Sequence, residues 1–427
     1  MDETSKTVAL FTVGCKLNQY ETQGMGELLE KAGFLRVDFK SRADVYIVNT
    51  CTVTAQSDYS SRQALFRARR RSPDSKIVIT GCYAELEPDF LKTLPGVSLV
   101  ILNEQKKNIA QIVANLFNSE KRIPPALELK VSSHFCHTRA LVKIQDGCNQ
   151  SCSYCVIPFA RRKEKSKDPF LIVEEIRNLE ENNFKEVVLT GVHVGRYDFD
   201  GMDLVGLTEK ALASTQIKRL RYSSIEPNEI TDDLINLIAF EKRICRHLHI
   251  PLQSGEDKIL QAMNRSYSTE YYQNLITRLI NKTPELTIGA DVIVGFPGET
   301  EEKFQNSCDF ILSLPLSYLH IFSYSDRKRT NASLLSGKIP PFVIHRRSQR
   351  LHRIGKEKWE KVLDIYIGRE LKVLIEKTRD KKSGKLIGLS DNYIRVLVDG
   401  DDFLANQIVT VKILKREGKF LLGEKVH

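Results

Sequence analysis

Cys148, Cys152 and Cys155 follow a Cys-x3-Cys-x2-Cys pattern between the apolar run Leu141–Ile144 and Val156-Ile157-Pro158. Thiolates packed this tightly can hold three corners of a cubane iron–sulfur cluster and leave one iron without a protein ligand. Such an iron can chelate a small molecule and pass it an electron. A zinc knuckle would need a fourth ligand nearby, and no Cys or His occupies residues 156–192. A run of buried cysteines that bind nothing is the other alternative. A second set is spread along the first third of the chain. Cys15 follows Val8–Val13 and Gly14, Cys51 follows Val45–Val48 and Asn49-Thr50, and Cys82 follows Ile77–Ile79 and Thr80-Gly81. A lone Cys after a strand is usually a small buried hydrophobe. Three at the same end of neighbouring strands read as a metal triad, with zinc still open if His or water completes the site. Cys136, Cys245 and Cys308 show no cluster spacing, and Cys308 falls in a helical pattern as a core residue.

The elements that must position these groups divide the chain in three. In residues 1–132 the three apolar runs alternate with the helical stretches Gln19–Lys31 and Ala55–Arg71, and Val97–Leu102 adds a fourth strand. Alternation of this kind predicts a parallel α/β sheet, which places its site past the carboxyl ends of the strands. Leu116–Leu129, polar and carrying Pro124-Pro125, reads as a linker.

Residues 133–362 alternate the strand-like runs Leu141–Ile144, Glu186–Leu189, Arg219–Ile225, His247–Ile250, Ile288–Val294 and Tyr318–Phe322 with amphipathic helices. Six such units predict a partial (β/α)6 barrel with its chemistry at the carboxyl ends. Polar and glycine-rich segments gather there: Thr190-Gly191-Val192-His193, Ser223–Pro227, Pro251–Gly255 and Gly295–Thr300. His193 reads as a hydrogen-bonding loop residue rather than a proton donor. Val343–Leu363 is a long basic helix that either ties two domains or presents Arg346, Arg347, Arg350 and Arg353 to phosphates. Residues 363–427 hold five short strands separated by turn residues, which predicts a small β-barrel.

Bulk composition limits the partners. A chain of 427 residues accommodates two to four domains. The longest apolar runs are strand-length, so no membrane span is expected, and the polar, acidic Met1–Lys6 is unlike a secretory signal. Nine cysteines, an odd number, argue against a disulfide framework and fit a reducing cytoplasm. A net charge of +10 favours an anionic partner, nucleic acid before others. The basic runs Arg67–Arg71 and Lys377–Lys385 are either solvated faces or RNA contacts, and in a small β-barrel RNA contact is favoured for the second.

The Cys148–Cys155 stretch closely resembles the signature of radical S-adenosylmethionine (SAM) enzymes, and the line from Asp146 to Arg161 resembles that of the methylthiotransferases. Gly14-Cys15-Lys16-Leu17-Asn18-Gln19, Asn49-Thr50-Cys51 and Thr80-Gly81-Cys82 resemble the N-terminal domain of the same family. Gly368-Arg369-Glu370, Gly388-Leu389-Ser390 and Phe420–Glu424 resemble the TRAM domain, an RNA-binding appendage. The resemblance implies two [4Fe-4S] clusters, one on Cys15, Cys51 and Cys82 and one on Cys148, Cys152 and Cys155, with S-adenosyl-L-methionine on the open iron of the second. It also implies cofactor contacts: Tyr154 near the adenine, Gly191 near the methionine amino group, Glu226 and Gln253 on the facing strands, and Phe296 within the ribose and adenine side. Arg162 and Arg329 depart from the family pattern, which has glycine at both places.

The implied reaction is radical insertion of a methylthio group at carbon 2 of an adenine in the tRNA anticodon stem-loop, fed by a low-potential donor such as flavodoxin or ferredoxin. Three substrates occur in the family: threonylcarbamoyl-adenosine, isopentenyl-adenosine and a ribosomal-protein aspartate. The strings from Gly14 to Glu21 and from His247 to Gln253 most resemble the threonylcarbamoyl-adenosine group. A different class, an iron–sulfur RNA-binding protein without turnover, is kept open by the two arginine departures, against which stand two complete Cys triads.

Overall fold

The computed structural model describes residues 6–118, 123–124, 126, 128–132 and 138–426. The expectations for Cys136, for the start of the chain before Lys6 and for Pro125 lie outside these residues.

The first unit is a five-stranded, wholly parallel sheet. Its strands are β1 (Thr7–Thr12), β2 (Leu35–Val37), β3 (Val45–Thr50), β4 (Lys76–Gly81) and β5 (Val97–Val100), in the order β2-β1-β3-β4-β5. Helices α1 (Lys16–Lys31), α2 (Ala55–Arg71), α3 (Cys82–Leu86), α4 (Pro88–Thr93) and α5 (Ile109–Asn115) connect and cover it. Because both faces are covered, β3 is buried at all six positions, and its first four residues, Val45–Val48, read as an unbroken apolar run. The short edge strand β2 is not anticipated from its sequence, since three residues with Leu35 exposed carry no periodicity.

The second unit is an open barrel of parallel strands. Strands β6 (Ala140–Lys143), β9 (Glu186–Thr190) and β10 (Arg219–Tyr222) form one side, and β11 (His247–His249), β12 (Thr287–Val294) and β13 (Tyr318–Ser323) the other. A bridge between Leu220 and Ile244, and the Ile225 N–H donating to the His249 carbonyl at 3.0 Å, join the two sides. A two-residue ladder, β7 (Gln145–Asp146) with β8 (Lys165–Ser166), brackets the cysteine loop, which carries the single-turn helix α6 (Ile157–Ala160). Helices α7 (Pro169–Glu181), α8 (Leu204–Ser214), α9 (Asp232–Phe240), α10 (Asp257–Ala262), α11 (Thr269–Lys282) and α12 (Glu301–Ser313) pack outside. Side-chain oxygens of Asp168, Asp203, Thr231, Ser268 and Thr300 accept backbone N–H groups at the starts of α7, α8, α9, α11 and α12, which fixes where those helices begin. Alternation along β10 decides orientation: Leu220 and Tyr222 join the helix-packed core, and Arg219 and Arg221 face the lumen.

A long helix, α13 (Pro341–Ile365), leads to the third unit. There β14 (Glu370–Arg379), β15 (Leu386–Ser390), β16 (Arg395–Val398), β17 (Ile408–Glu417) and β18 (Phe420–Lys425) close into a barrel in the order β14-β15-β16-β18-β17. Closure pairs every edge strand. The turn after β15 enters the amino end of the large barrel. Arg219 donates to the carbonyls of Leu389 (3.1 Å) and Lys372 (2.7 Å), Arg221 to those of Asp391 (2.9 Å) and Ser390 (3.1 Å), and Thr287 to that of Asn392 (2.6 Å). The Tyr393 ring stacks on His247 with centroids 4.2 Å apart.

Candidate metal centres

The sheet order places β1, β3 and β4 side by side, so Cys15, Cys51 and Cys82 emerge together past the same edge. Gly14 turns the chain with φ of +108°, and a Cβ there would stand 2.7 Å from the Cys51 Cβ and 2.9 Å from its sulfur. The Asn18 amide donates to the carbonyls of Val13 (2.9 Å) and Thr50 (3.0 Å), tying the Cys15 and Cys51 loops together. Burial, reinforced by the neighbouring Cys82 and Cys15, pushes the Cys51 thiol up to about 11.

The second triad occupies a clamped loop. Gly147 takes φ of +80°, and a Cβ there would collide with the Lys163 carbonyl. The Cys148 N–H donates to the Arg161 carbonyl (3.2 Å), and the Gln150 N–H donates to the Cys148 sulfur (3.4 Å). Ser153 donates from its N–H to Met263 (3.0 Å) and from its hydroxyl to Ala262 (2.7 Å), and accepts from Ala332 (2.7 Å). Burial pushes the Cys155 thiol up to about 12.

The segments that carry the two triads pack together. Cys82 and Leu86 pack directly against Val156 and Ala160, the residues that follow Cys155. Arg161 fills the gap: its guanidinium donates to the Cys82 sulfur (3.4 Å), to both Glu21 oxygens (2.9 and 2.8 Å), to Asp146 (2.8 Å) and to Asn18 (3.1 Å). Glu21 also accepts from Lys106 at 2.5 Å. Burial alone would raise the Glu21 carboxyl, yet Arg161 and Lys106 hold it well below the usual range. Arg265 plays the matching part at the other triad, donating to the Cys152 sulfur (3.2 Å) and pairing with Glu226.

Among the described residues, no three of the six sulfurs lie within 4.8 Å of one another. One tetrahedral ion, with bonds of about 2.3 Å to sulfur, would draw them closer. Three thiols apiece, held open and receiving N–H donors at sulfur, fit a larger sulfur-bridged cluster.

The expected cofactor wall lies around the second triad. Tyr154 packs against the cluster formed by Ile259, Met263, Phe296 and Ala332, and the wholly buried Phe296 meets Tyr324 edge-on at 5.5 Å. A Cβ on Gly191 would come within 2.8 Å of the Gln145 carbonyl, and the Gln145 side chain accepts the His193 N–H at 2.8 Å. Gln253 is buried with φ of +65° and is bridged to Val292. Glu226 faces Arg265 rather than open space. His193 contacts Cys148 (3.6 Å) and Glu229 (2.5 Å); burial opposes its charging, but those two partners outweigh burial and push it up to about 10.

Arg161, Arg265 and Glu21 carry no spacing signal in the sequence, and neither does the group His249, Asp291 and His320. These three stand on β11, β12 and β13 with Asp291 at 3.0 and 3.4 Å from the two rings. Burial lowers His249 to about 4. The basic segments divide. Arg347 is buried against Glu299 (2.9 Å) and Glu301 (3.0 Å), and Arg350 donates to Gln305 (2.6 Å), so these two tie α13 to α12 rather than meeting phosphates. Arg67 and Arg71 stack on Phe11 and Phe39. Arg162 is exposed and donates to the Phe159 carbonyl. Arg329 takes φ of +77° and donates to the Leu86 carbonyl (3.0 Å), joining the barrel to the first sheet.

Family models match three segments: an uncharacterised protein family, UPF0004, over residues 7–102, the radical SAM superfamily over 142–311, and the TRAM domain over 364–426. The threonylcarbamoyladenosine tRNA methylthiotransferase MtaB of Bacillus subtilis is 37% identical over 97% of this chain and 96% of its own. The tRNA-2-methylthio-N(6)-dimethylallyladenosine synthase of Endomicrobium trichonymphae is 31% identical over 97% of this chain and 99% of its own. Among solved structures, the radical S-adenosylmethionine methyltransferase TsrM of Kitasatospora setae, with cobalamin and a [4Fe-4S] cluster bound, shares the fold with a TM-score of 0.55. It is 16% identical, with 75% of each chain covered. No helix among the described residues is long and apolar enough to cross a membrane.

Proposed function

The chain belongs to the radical SAM tRNA methylthiotransferase family, and on that premise we propose that its substrate is N6-threonylcarbamoyladenosine beside the tRNA anticodon, converted to the 2-methylthio derivative. The observation that carries the reading is the packing of Cys82 and Leu86 on Val156 and Ala160, with the buried Arg161 donating to the Cys82 sulfur, which supports two neighbouring three-thiol sites. The higher identity to the threonylcarbamoyl relative supports the choice of nucleoside.

Cys148, Cys152 and Cys155 hold one [4Fe-4S] cluster and Cys15, Cys51 and Cys82 the other. When bound, the clusters and SAM supply a low-potential electron, a carbon-centred radical and a methylated sulfur. The chain supplies position and dryness. Tyr154 and Phe296 close an apolar wall beside the second triad, and Gly191 lets its strand end lie against Gln145. Arg265 neutralises Glu226 and steadies the Cys152 sulfur. A flavodoxin or ferredoxin delivers electrons, and the reaction takes place in the cytoplasm, where tRNA is modified.

Tandem mass analysis of tRNA nucleosides from a deletion strain tests the reading. Loss of 2-methylthio-N6-threonylcarbamoyladenosine, restored by the wild-type gene, is expected. Unchanged levels of that nucleoside would overturn it.

A further inference from the structure

A cavity of about 210 Å³ lies where the three units meet, between the start of α1, the start of β6 and the end of β14. That volume suits a small polar substituent rather than a whole nucleoside. Lys16, Arg139 and Lys377 line it, against one carboxylate, Glu376. Arg139 reaches Glu376 only at 4.0 Å, and Lys16 has no ion pair or hydrogen bond among the described residues. Other cations buried nearby are neutralised: Lys106 and Arg161 on Glu21, Arg221 on Glu186 at 2.7 Å. Three cations against one carboxylate leave this partly enclosed space with net positive charge, which a bound anion would offset.

We propose that this pocket binds the threonyl carboxylate of the substrate, with Lys16 and Arg139 as its two ligands; the inference rests on the substrate reading above. Lys16 follows Cys15 directly, and N6 is carried on C6, which only N1 separates from C2. A purine presenting C2 to the Cys15 side therefore holds its N6 substituent on that same edge, within reach of the pocket that Lys16 lines. The remaining lining suits the rest of the group: Gln19 and Thr138 offer hydrogen bonds to the carbamoyl and hydroxyl, and Leu141 and Val188 offer apolar contact to the methyl. A dimethylallyl group placed here would leave Lys16 without an anionic partner and Arg139 with only its 4.0 Å contact to Glu376, so the pocket selects by charge.

The test uses anaerobically reconstituted full-length enzyme and two anticodon stem-loop RNAs. One carries threonylcarbamoyladenosine; in the other a threoninamide replaces the acid. Wild type is expected to favour the acid by about tenfold or more in KM, with kcat similar. Arg139→Gln and Lys16→Gln should each reduce that preference about tenfold with iron content unchanged, and Lys16→Arg should keep most of it. Where a variant does not turn over, the same ratio is read from competition binding of the two RNAs. An acid-to-amide ratio left at its wild-type value overturns the proposal, whether overall activity is kept or lost. Absence of product from wild type on either RNA would overturn the substrate reading as well, which separates the two failures.

Discussion

Arg161 donates its guanidinium to the sulfur of Cys82 at 3.4 Å while its own carbonyl accepts the Cys148 N–H at 3.2 Å. One residue thus touches both triads, and its charge is matched by Glu21 and Asp146 in a buried network. Removing one partner of such a network costs about 3–5 kcal/mol when nothing replaces it. Lys106 still faces Glu21, so Arg161→Gln should cost about 3 kcal/mol in denaturant unfolding of the cluster-free protein. Adding Glu21→Gln should then cost less than it does alone; additive costs would show that the pair is not coupled.

The two triads should load independently. Reconstituted wild type should hold about eight irons per chain and the Cys15→Ala/Cys51→Ala/Cys82→Ala variant about four. That variant should still release 5′-deoxyadenosine yet form no methylthio product. Four irons in both proteins would mean that the first triad carries no cubane.

Acid should loosen the junction between the first two units. Burial tends to raise the Asp146 carboxyl, but Arg161 and Lys143 outweigh it and hold the group at about 2, against an ordinary 3.8. A carboxyl depressed on folding stabilises the protein above its unfolded pKa, and that contribution disappears as pH falls through the folded value. The loss therefore belongs between about pH 4 and 2, and the lowered Glu21 adds to it. Circular dichroism melts across this range should show a steeper fall for wild type than for Asp146→Asn. Parallel curves would remove Asp146 from the explanation.

Tyr393 is the one side chain of its turn stacked into the large barrel, lying on His247 and beneath the Arg221 guanidinium at 5.2 Å. Truncation of a buried aromatic to alanine costs about 3–5 kcal/mol. Tyr393→Ala should open the segment between α13 and β14 to protease without changing iron content. Identical digestion patterns in variant and wild type would show that the remaining contacts hold the small barrel without Tyr393.

Strand periodicity and turn residues were sufficient to read the three-part α/β architecture. Helix α2 begins and ends where the sequence places it, at Ala55 and Arg71, because Thr54 caps it and Ser72 lies past its basic last turn. Helix α1 begins three residues before the expected Gln19, since Cys15 takes the capping position without a side-chain bond and so gives no signal. The cysteines announced themselves through spacing. The residues that join them did not: Arg161 and Glu21 meet across 140 positions of sequence, and a buried ion pair has no periodicity. Arg329 shows in the sequence only as a departure from the family's glycine. Its backbone occupies the left-handed region that favours glycine, and its guanidinium fastens one unit to another.

All five hydrogen bonds that seat the small barrel on Arg219, Arg221 and Thr287 end on main-chain carbonyls. A grip on the peptide backbone is indifferent to which side chains that backbone carries. The outer surface of the appended barrel can therefore be rewritten by mutation, for a different RNA or none, while its seat stays the same. The module is fastened largely by its main chain, and side chains such as Tyr393, Glu376 and Asn406 make it particular to this socket.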